Sequence, residues 1–272
     1  MKKMYLLVLL AAFGLPCFCQ EKMDTAALIK EFKKVMSYTL EPYVFAATSN
    51  AIKSEPVVDT QDTLQTHAVF YKNETDLYYK NGNEEMYLQD SLLVQVNNER
   101  KTIWVSRIDK ASKEKLGAQH ADSKQLQELM RKNYTIRKTS IDNDRTTISF
   151  DSKEITGRSA VISTHAELLF TQKDHHPLQL AVEMRMQQPA SDEMVEQIKN
   201  QGVDERKLIQ LIGGRRYLVR MQRMTVAFDH IDNTKEKAMQ MPVWQSILDV
   251  DPAEQKFTGK GDYSAYDVTK TF

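Results

Sequence analysis

The sequence predicts an α+β fold in which an antiparallel sheet packs against a few helices. Two observations predict it: apolar residues first recur at helical spacing, and they later alternate with polar residues over many short segments separated by turns. Apolar residues make up 41% of the 272 residues and charged residues 27%, which is ordinary for a folded globular protein. This length permits one large domain or two small ones, and we expect one because no linker divides the pattern.

The first predicted helix follows Asp24, a favourable N-cap residue, and ends before Pro42. Its apolar stripe repeats at the spacing of one helix face and consists of Leu28, Phe32, Val35, Met36 and Leu40. Residues 48–61 are rich in Ser, Asn, Pro and Asp, and they predict a loop.

Period-two alternation then predicts a meander of four or five antiparallel strands. It begins at Leu64 and continues to Tyr71. Asn81-Gly82-Asn83 follows as a strong hairpin signal, because Asn and Gly accept positive φ. Further alternating segments predict strands at 77–80, 85–89, 92–96 and 102–108.

The second half of the chain predicts three more helices and further strands. A capping box at Asp122 and Gln125 predicts one helix, and a second, broken at Gly202, is predicted over 194–211. A short helix is predicted at 242–248. The predicted strands are 134–139, 146–150, 161–171, 178–186 and 217–228.

Residues 1–19 predict a cleaved signal peptide and therefore a periplasmic protein. Lys2 and Lys3 precede a short apolar stretch, and small residues at Cys17 and Cys19 suit a cleavage site after Cys19. Residues 20–250 are then predicted as one α+β domain, and 251–272 as a polar C-terminal tail. A minor alternative is a lipid anchor at Cys17 or Cys19, which the bulky Phe18 and the preceding Pro16 disfavour.

Charge and cysteine content exclude several classes of partner. Cleavage removes both cysteines, so no disulfide is expected, and loss of Lys2 and Lys3 takes the formal net charge from +0 to −2. Such a chain lacks the basic surface of a nucleic-acid binder. No segment after the signal peptide is apolar for long enough to span a membrane.

Four polar clusters could carry chemistry, and each has a simpler structural explanation. His175-His176 beside Asp174 reads as a polar turn, because neighbouring strand residues point to opposite faces and cannot both bind one metal ion. The other three clusters are predicted to be a helix stop, an incomplete set of calcium ligands and a solvated turn: Gly213-Gly214-Arg215-Arg216, Asp249 with Asp251, and Glu84-Glu85. We therefore predict no catalytic, cofactor-binding or metal-binding residue, and no enzyme.

The order of elements resembles the periplasmic lipoprotein-carrier (LolA-like) superfamily. The resemblance rests on the N-terminal helix, on the hairpin Tyr78-Tyr-Lys-Asn-Gly-Asn-Glu-Glu-Met86, and on Leu92-Leu-Val-Gln-Val-Asn-Asn-Glu-Arg-Lys-Thr-Ile-Trp104. It covers roughly residues 24–232 and rests on architecture without a signature motif. It implies a curved, incompletely closed antiparallel sheet, a half-barrel, whose concave face is covered by helices over an apolar cavity.

Two functions are compatible with these expectations. The first is a non-enzymatic periplasmic binding or carrier protein for an acyl chain, a lipid or a lipidated partner. Flexible methionines suit such a surface, although core packing explains them equally well: Met184, Met186, Met194, Met221 and Met224. The alternative is a structural or adaptor component of a cell-envelope assembly, with exposed strand edges and tyrosine-rich hairpins pairing with another chain: Tyr71, Tyr78, Tyr79 and Tyr87.

Overall fold

The structure, a computed structural model, describes residues 25–39, 41–109, 111–112, 128, 130–152, 161–251 and 256–271. The predicted signal peptide lies outside the described residues. Most of the helix predicted after Asp122 also lies outside them, although 130–133 are helical.

The described residues form four α-helices and fifteen strands. The helices are α1 (Thr25–Met36), α2 (Asp192–Asn200), α3 (Glu205–Leu208) and α4 (Lys235–Ala238). The first seven strands are β1 (Tyr43–Glu55), β2 (Thr63–Asn73), β3 (Asp76–Asn81), β4 (Glu84–Gln89), β5 (Leu92–Asn97), β6 (Thr102–Arg107) and β7 (Tyr134–Ser140). The others are β8 (Arg145–Ser152), β9 (Val161–Thr171), β10 (Pro177–Pro189), β11 (Ile209–Ile212), β12 (Arg215–Asp232), β13 (Leu248–Asp251), β14 (Lys256–Gly259) and β15 (Asp267–Lys270). Short 3₁₀ turns join some of them, among them Ser37–Thr39 and Trp244–Ser246.

Thirteen strands form one open, curved sheet, which confirms the antiparallel-sheet prediction. Their order is β15-β6-β5-β4-β3-β2-β1-β12-β10-β9-β8-β7, with β11 paired to β12. All pairs are antiparallel except β15 on β6, and β13 and β14 form a separate two-stranded sheet. The predicted hairpin turn joins β3 to β4, and Gly82 there has φ +55°.

Helix α1 packs on one face of the sheet, at the β7 edge; we call this the α1 face. Buried Val35 lies against apolar side chains of β8 and β9, and the Phe32 ring meets the Phe150 ring edge-on at a centroid distance of 5.0 Å. The helix forms as predicted, because its apolar stripe is buried here while its lysines stay outside. That helices cover the rest of this face stays a prediction.

The opposite face carries a second core at the other end of the sheet. Tyr78, Tyr87, Val94 and Val105 form a cross-strand row over β3–β6. The C-terminal residues cover this row through buried Ile247 and Leu248 and through four partly buried side chains: Phe257, Tyr263, Tyr266 and Val268.

The expected polar tail at 251–272 is therefore wrong in part. Residues 256–271 contain β14 and β15, and β15 pairs with β6, Val268 lying beside Ile103. Val268 is the one apolar residue among the four of this strand, so the sequence shows no alternation from which to predict it. Its place in the sheet comes from the edge that β6 presents.

Two further predictions are corrected. Residues 48–61 do not form a loop, because 48–55 belong to β1, which lies centrally between β2 and β12. Pairing on both sides overrides the weak strand propensity of Ser49 and Asn50. The helix predicted over 194–211 stops at Asn200; it is followed by the single turn of α3, and then by β11.

Candidate functional site

An apolar groove of about 420 Å³ lies on the α1 face, where β12, β1, β2 and β3 run side by side. Its walls continue the same face on which α1 packs, because Leu180 of that core stands opposite Val226 across the β10–β12 pair. The lining side chains include Ala46, Thr48, Ile52, Leu64, Thr66, Ala68, Phe70, Met224, Val226 and Phe228.

Strand alternation places these side chains together. Thr48 pairs with Ala68 on one side and with Phe228 on the other, so one cross-strand row lines the groove. Ile52, paired with Leu64 and Met224, forms another row at the far end. The groove is open at its centre because the residues there are threonines and alanines, whose side chains do not extend far from the sheet.

The groove exposes apolar surface that a closed core would bury. Leu64 keeps 47% of its surface exposed, and Met224, Val226 and Phe228 are each only partly buried. An apolar ligand that covers such surface displaces the water in contact with it. The free energy of binding gains about 25 cal/mol for each Å² of apolar surface buried in this way. The groove can therefore hold an apolar chain.

A second cavity of about 360 Å³ adjoins the groove, and Tyr79 lines both. Two cross-strand rows on the α1 face run along this cavity, and we call them together the shelf; all of their members except Asn81 and Thr102, at the two ends of the second row, line the cavity. The first row crosses β3–β6 as Tyr79, Met86, Gln95 and Trp104, and the second as Asn81, Glu84, Asn97 and Thr102. Trp104 is 36% exposed, so its ring is available to a ligand.

A charged cluster occupies the opposite face near β8–β12. His165 Nδ1 lies 2.7 Å from Asp151 Oδ1, and His165 Nε2 lies 3.2 Å from Glu167 Oε1. Partial burial lowers the pKa of His165, but the hydrogen bonds to both carboxylates outweigh it, so the pKa lies above its ordinary value. Within the described residues, no three His, Cys, Asp or Glu side chains are arranged to hold a metal ion.

A buried carboxylate stands behind the shelf, on the opposite face. Glu85 is 4% exposed and accepts hydrogen bonds from Tyr87 at 2.9 Å, Tyr78 at 3.1 Å and Lys80 at 2.9 Å. Burial alone would raise the pKa of Glu85, yet these donors and Asn98 bring it below the ordinary value. Burial and the adjacent carboxylate raise the pKa values of Tyr78 and Tyr87.

The histidine pair is separated as predicted. His175 lies in a turn at φ +62°, with its ring stacked on Phe170 at 5.8 Å. The His176 ring instead meets Tyr38 edge-on at 5.2 Å. His175 Nε2 is 3.7 Å from Glu31 Oε1 of α1, so the turn helps to hold the helix in place.

The remaining predicted clusters also lie apart from the groove. Gly213 and Gly214 form the β11–β12 turn with positive φ, and Arg216 pairs with Asp192. Asp249 of β13 lies 3.4 Å from the Lys260 ammonium.

Three expectations about exposure are corrected. Glu84 is exposed as expected, but Glu85 is not solvated, because it is the buried carboxylate of the tyrosine cluster. Tyr78 and Tyr87, expected on a docking surface, are 4% and 2% exposed. Among the methionines, Met224 lines the groove, whereas Met221 lies beside Glu55 on the opposite face.

Sequence reasoning missed the shelf entirely. Its two rows come from residues two apart on four consecutive strands, and the printed sequence shows this only once the register of three hairpins is known. A signal was present: Trp104 alternates with the buried Ile103 and Val105, which assigns it to the other face.

Comparisons with known proteins add little. No family model matches this chain, and no curated protein matches it. Among solved structures, the chain is similar to the crystal structure of a DUF1329 family protein from Desulfovibrio piger, at 9% identity and a TM-score of 0.29, over 77% of this chain and 92% of that one. A TM-score this low carries no argument, so membership of the LolA-like superfamily stays a prediction. None of the described helices is long and apolar enough to cross a membrane.

Proposed function

We propose that this protein is a non-enzymatic carrier of the cell envelope that binds an acyl chain, as a free lipid or on a lipidated partner, in the groove of the α1 face. The observation that carries this proposal is the groove itself, about 420 Å³ in volume and lined by partly exposed apolar side chains of β12, β1 and β2. That volume lies within the range of small-molecule sites, about 300–1,000 Å³.

The polar residues of the groove also fit a bound chain. Thr48 and Asn50 hydrogen-bond each other, Thr48 Oγ1 lying 3.1 Å from Asn50 Oδ1. The Thr48 hydroxyl and the Asn50 carbonyl oxygen therefore have a partner without a ligand, and the small size of both side chains keeps the floor of the groove low. The proposal extends to the compartment: the predicted signal peptide would deliver the carrier to the periplasm.

Filling the groove tests the proposal. Thr66 is half-buried in the groove wall, so Thr66→Trp would occupy the space of the ligand. Gln65→Trp adds the same ring one residue away, on the exposed opposite face, and is the matched control. The measurement is binding of a fluorescent fatty acid, together with mass spectrometry of lipid extracted from the purified protein.

We expect Thr66→Trp to weaken fatty-acid binding at least about tenfold, which corresponds to a loss of 1.4 kcal/mol, while Gln65→Trp binds like the parent. Lipid should co-purify with the parent and the control and be depleted in Thr66→Trp. Absence of binding to the parent, or equal binding by both variants, would overturn the proposal.

The alternative is an adaptor that receives a strand of another chain at β7. In the described part of the chain, β7 pairs on one side with β8 and forms the end of the sheet order. An unpaired strand edge offers backbone donors and acceptors to a partner strand. Crosslinking in intact cells from a photoreactive residue at Arg137 would capture that partner, whereas a carrier would give no specific protein product there.

A further inference from the structure

We propose that the shelf binds the uncharged sugar head group of an acylated glycoside whose chain lies in the groove. This inference rests on the proposed function, because it names the class of molecule that the carrier would take. It follows from the continuity of the two cavities and from the chemistry of the side chains that line the shelf.

The two cavities are joined at one side chain. Tyr79 lines both the groove and the shelf, and Asn81 beside it lines the groove. A molecule with an apolar end in the groove would therefore place its other end over β4–β6. The first shelf row spans three strand spacings from Tyr79 to Trp104, about 14 Å, which accommodates two sugar rings in line.

The first row offers flat apolar surface. Tyr79 and Trp104 stand at its two ends, with Met86 and Gln95 between them. The C–H faces of a sugar ring pack against such aromatic faces, while its hydroxyl groups remain at the ring edge. Trp104 presents this surface to solvent, because it is among the exposed large apolar residues of the described chain.

The second row offers hydrogen-bonding groups along the same direction. Asn81, Glu84, Asn97 and Thr102 stand side by side, one per strand. Glu84 and Asn97 of this row line the shelf cavity, so the Glu84 carboxylate can accept hydrogen bonds from ligand hydroxyl groups and the Asn97 amide can donate to them.

The charges of the shelf select against other head groups. None of its eight side chains is cationic and Glu84 is exposed, so a phosphate or carboxylate head would meet repulsion without a counter-charge. A quaternary ammonium could stack on Trp104 and approach Glu84, but it can neither donate a hydrogen bond to the Glu84 carboxylate nor accept one from the Asn97 amide. A sugar satisfies both rows.

Binding of four defined probes tests this proposal. They are octyl maltoside, octyl phosphocholine and octanoate, all below their micellar concentrations, and maltose. Trp104 and Trp244 are the two tryptophans of the chain, so a Trp244→Phe background makes Trp104 fluorescence a direct report of the shelf. Calorimetry on the parent protein measures the affinities independently of that label.

We expect octyl maltoside to bind at least about tenfold more tightly than octyl phosphocholine or octanoate, and to shift Trp104 emission, because two satisfied hydrogen bonds supply about that factor. Trp104→Ala should remove this preference and leave octanoate binding unchanged, because Trp104 lines the shelf cavity and not the groove.

Four outcomes would overturn the inference. Equal affinities for the three octyl compounds would show that the shelf does not recognise sugar, while the proposed carrier function stands. Tighter binding of phosphocholine would assign the shelf to an ammonium head. Maltose binding as tightly as octyl maltoside would make it a site for free saccharide, and binding of no octyl compound would refute the carrier function as well.

Discussion

The carboxylate of Glu85 accepts a hydrogen bond from the hydroxyl of Tyr263 at 3.3 Å, across 178 residues of sequence. Tyr266 of the same C-terminal segment donates to Asn98 Oδ1 at 3.0 Å, and Asn98 in turn donates to Glu85. Burial and the neighbouring carboxylate raise the pKa of Tyr263 to about 12, so it remains a donor at neutral pH. One buried charge thus joins the first hairpins to the end of the chain.

Glu85→Gln should lower the free energy of unfolding by about 2 kcal/mol, because an amide cannot accept from Tyr78, Tyr87, Lys80 and Asn98 together. Urea unfolding followed by circular dichroism measures this. Glu84→Gln, at the exposed neighbouring position, is the control and should stay within about 0.5 kcal/mol of the parent.

The same carboxylate predicts a pH dependence in acid. The folded pKa of Glu85 lies below its ordinary value of 4.5, so the stability that it contributes is present above pH 4.5 and is lost as the pH falls through the folded pKa. Between about pH 3 and pH 6, the free energy of unfolding should change less with pH in Glu85→Gln than in the parent. Parallel pH profiles would contradict this assignment.

His165 predicts a dependence of opposite sign. Its pKa is raised above the ordinary 6.5 by Asp151 and Glu167 against the effect of burial, so its contribution is present below pH 6.5 and is lost as the pH rises through the folded pKa. His165→Gln should remove this loss, and NMR titration of the imidazole should give a midpoint above 6.5. His67→Gln, at an exposed position of the same face, serves as the comparison.

The Arg220–Asp62 ion pair ties β12 to the turn before β2. Burial raises the pKa of Asp62, but the backbone amides of Val58 and Asp59 and the Arg220 guanidinium outweigh it and lower the pKa. Arg220→Met would leave this buried carboxylate without its cation and should cost roughly 3 kcal/mol in urea unfolding. Arg223→Met, exposed on the same strand, should change the stability far less.

The groove and the core of the α1 face should respond differently to truncation. Leu168→Ala removes a fully buried side chain and should destabilise by roughly 2–5 kcal/mol. Val226→Ala removes a partly exposed side chain that lines the groove, and we expect less than about 1 kcal/mol in protein free of lipid. If bound lipid is present, Val226→Ala should cost more, which a comparison of delipidated and untreated protein would show.

The sequence predicts most of the fold because the strands of the first meander are local and alternate cleanly. The hairpin turn predicted at Asn81-Gly82-Asn83 and the strand predicted from the alternation of Leu64 to Tyr71 are both present in the structure. Strand β1 is missed because its central residues are polar, and their strand conformation depends on β12, about 180 residues later. Two of those polar residues, Thr48 and Asn50, line the groove, so the failed prediction falls on the candidate site.

The sequence predicts that an apolar binding site exists on the sheet, but it does not predict which residues line it. Apolar residues at 224, 226 and 228 alternate visibly, yet nothing local says that they stand beside Thr48 and Ala68 instead of beneath a helix. Burial of Glu85 is equally out of reach, because its partners Tyr263 and Asn98 are brought to it by the register of distant strands.

The position of β15 on β6 sets an order of events during synthesis. Hairpins β3–β6 can pair as soon as they are made, since each strand follows its neighbour directly. Their tyrosine-lined face and the free edge of β6 nevertheless remain uncovered until residues 241–268 have been made. Until then the incomplete sheet exposes apolar side chains and an unpaired strand edge, and such surface is prone to aggregation.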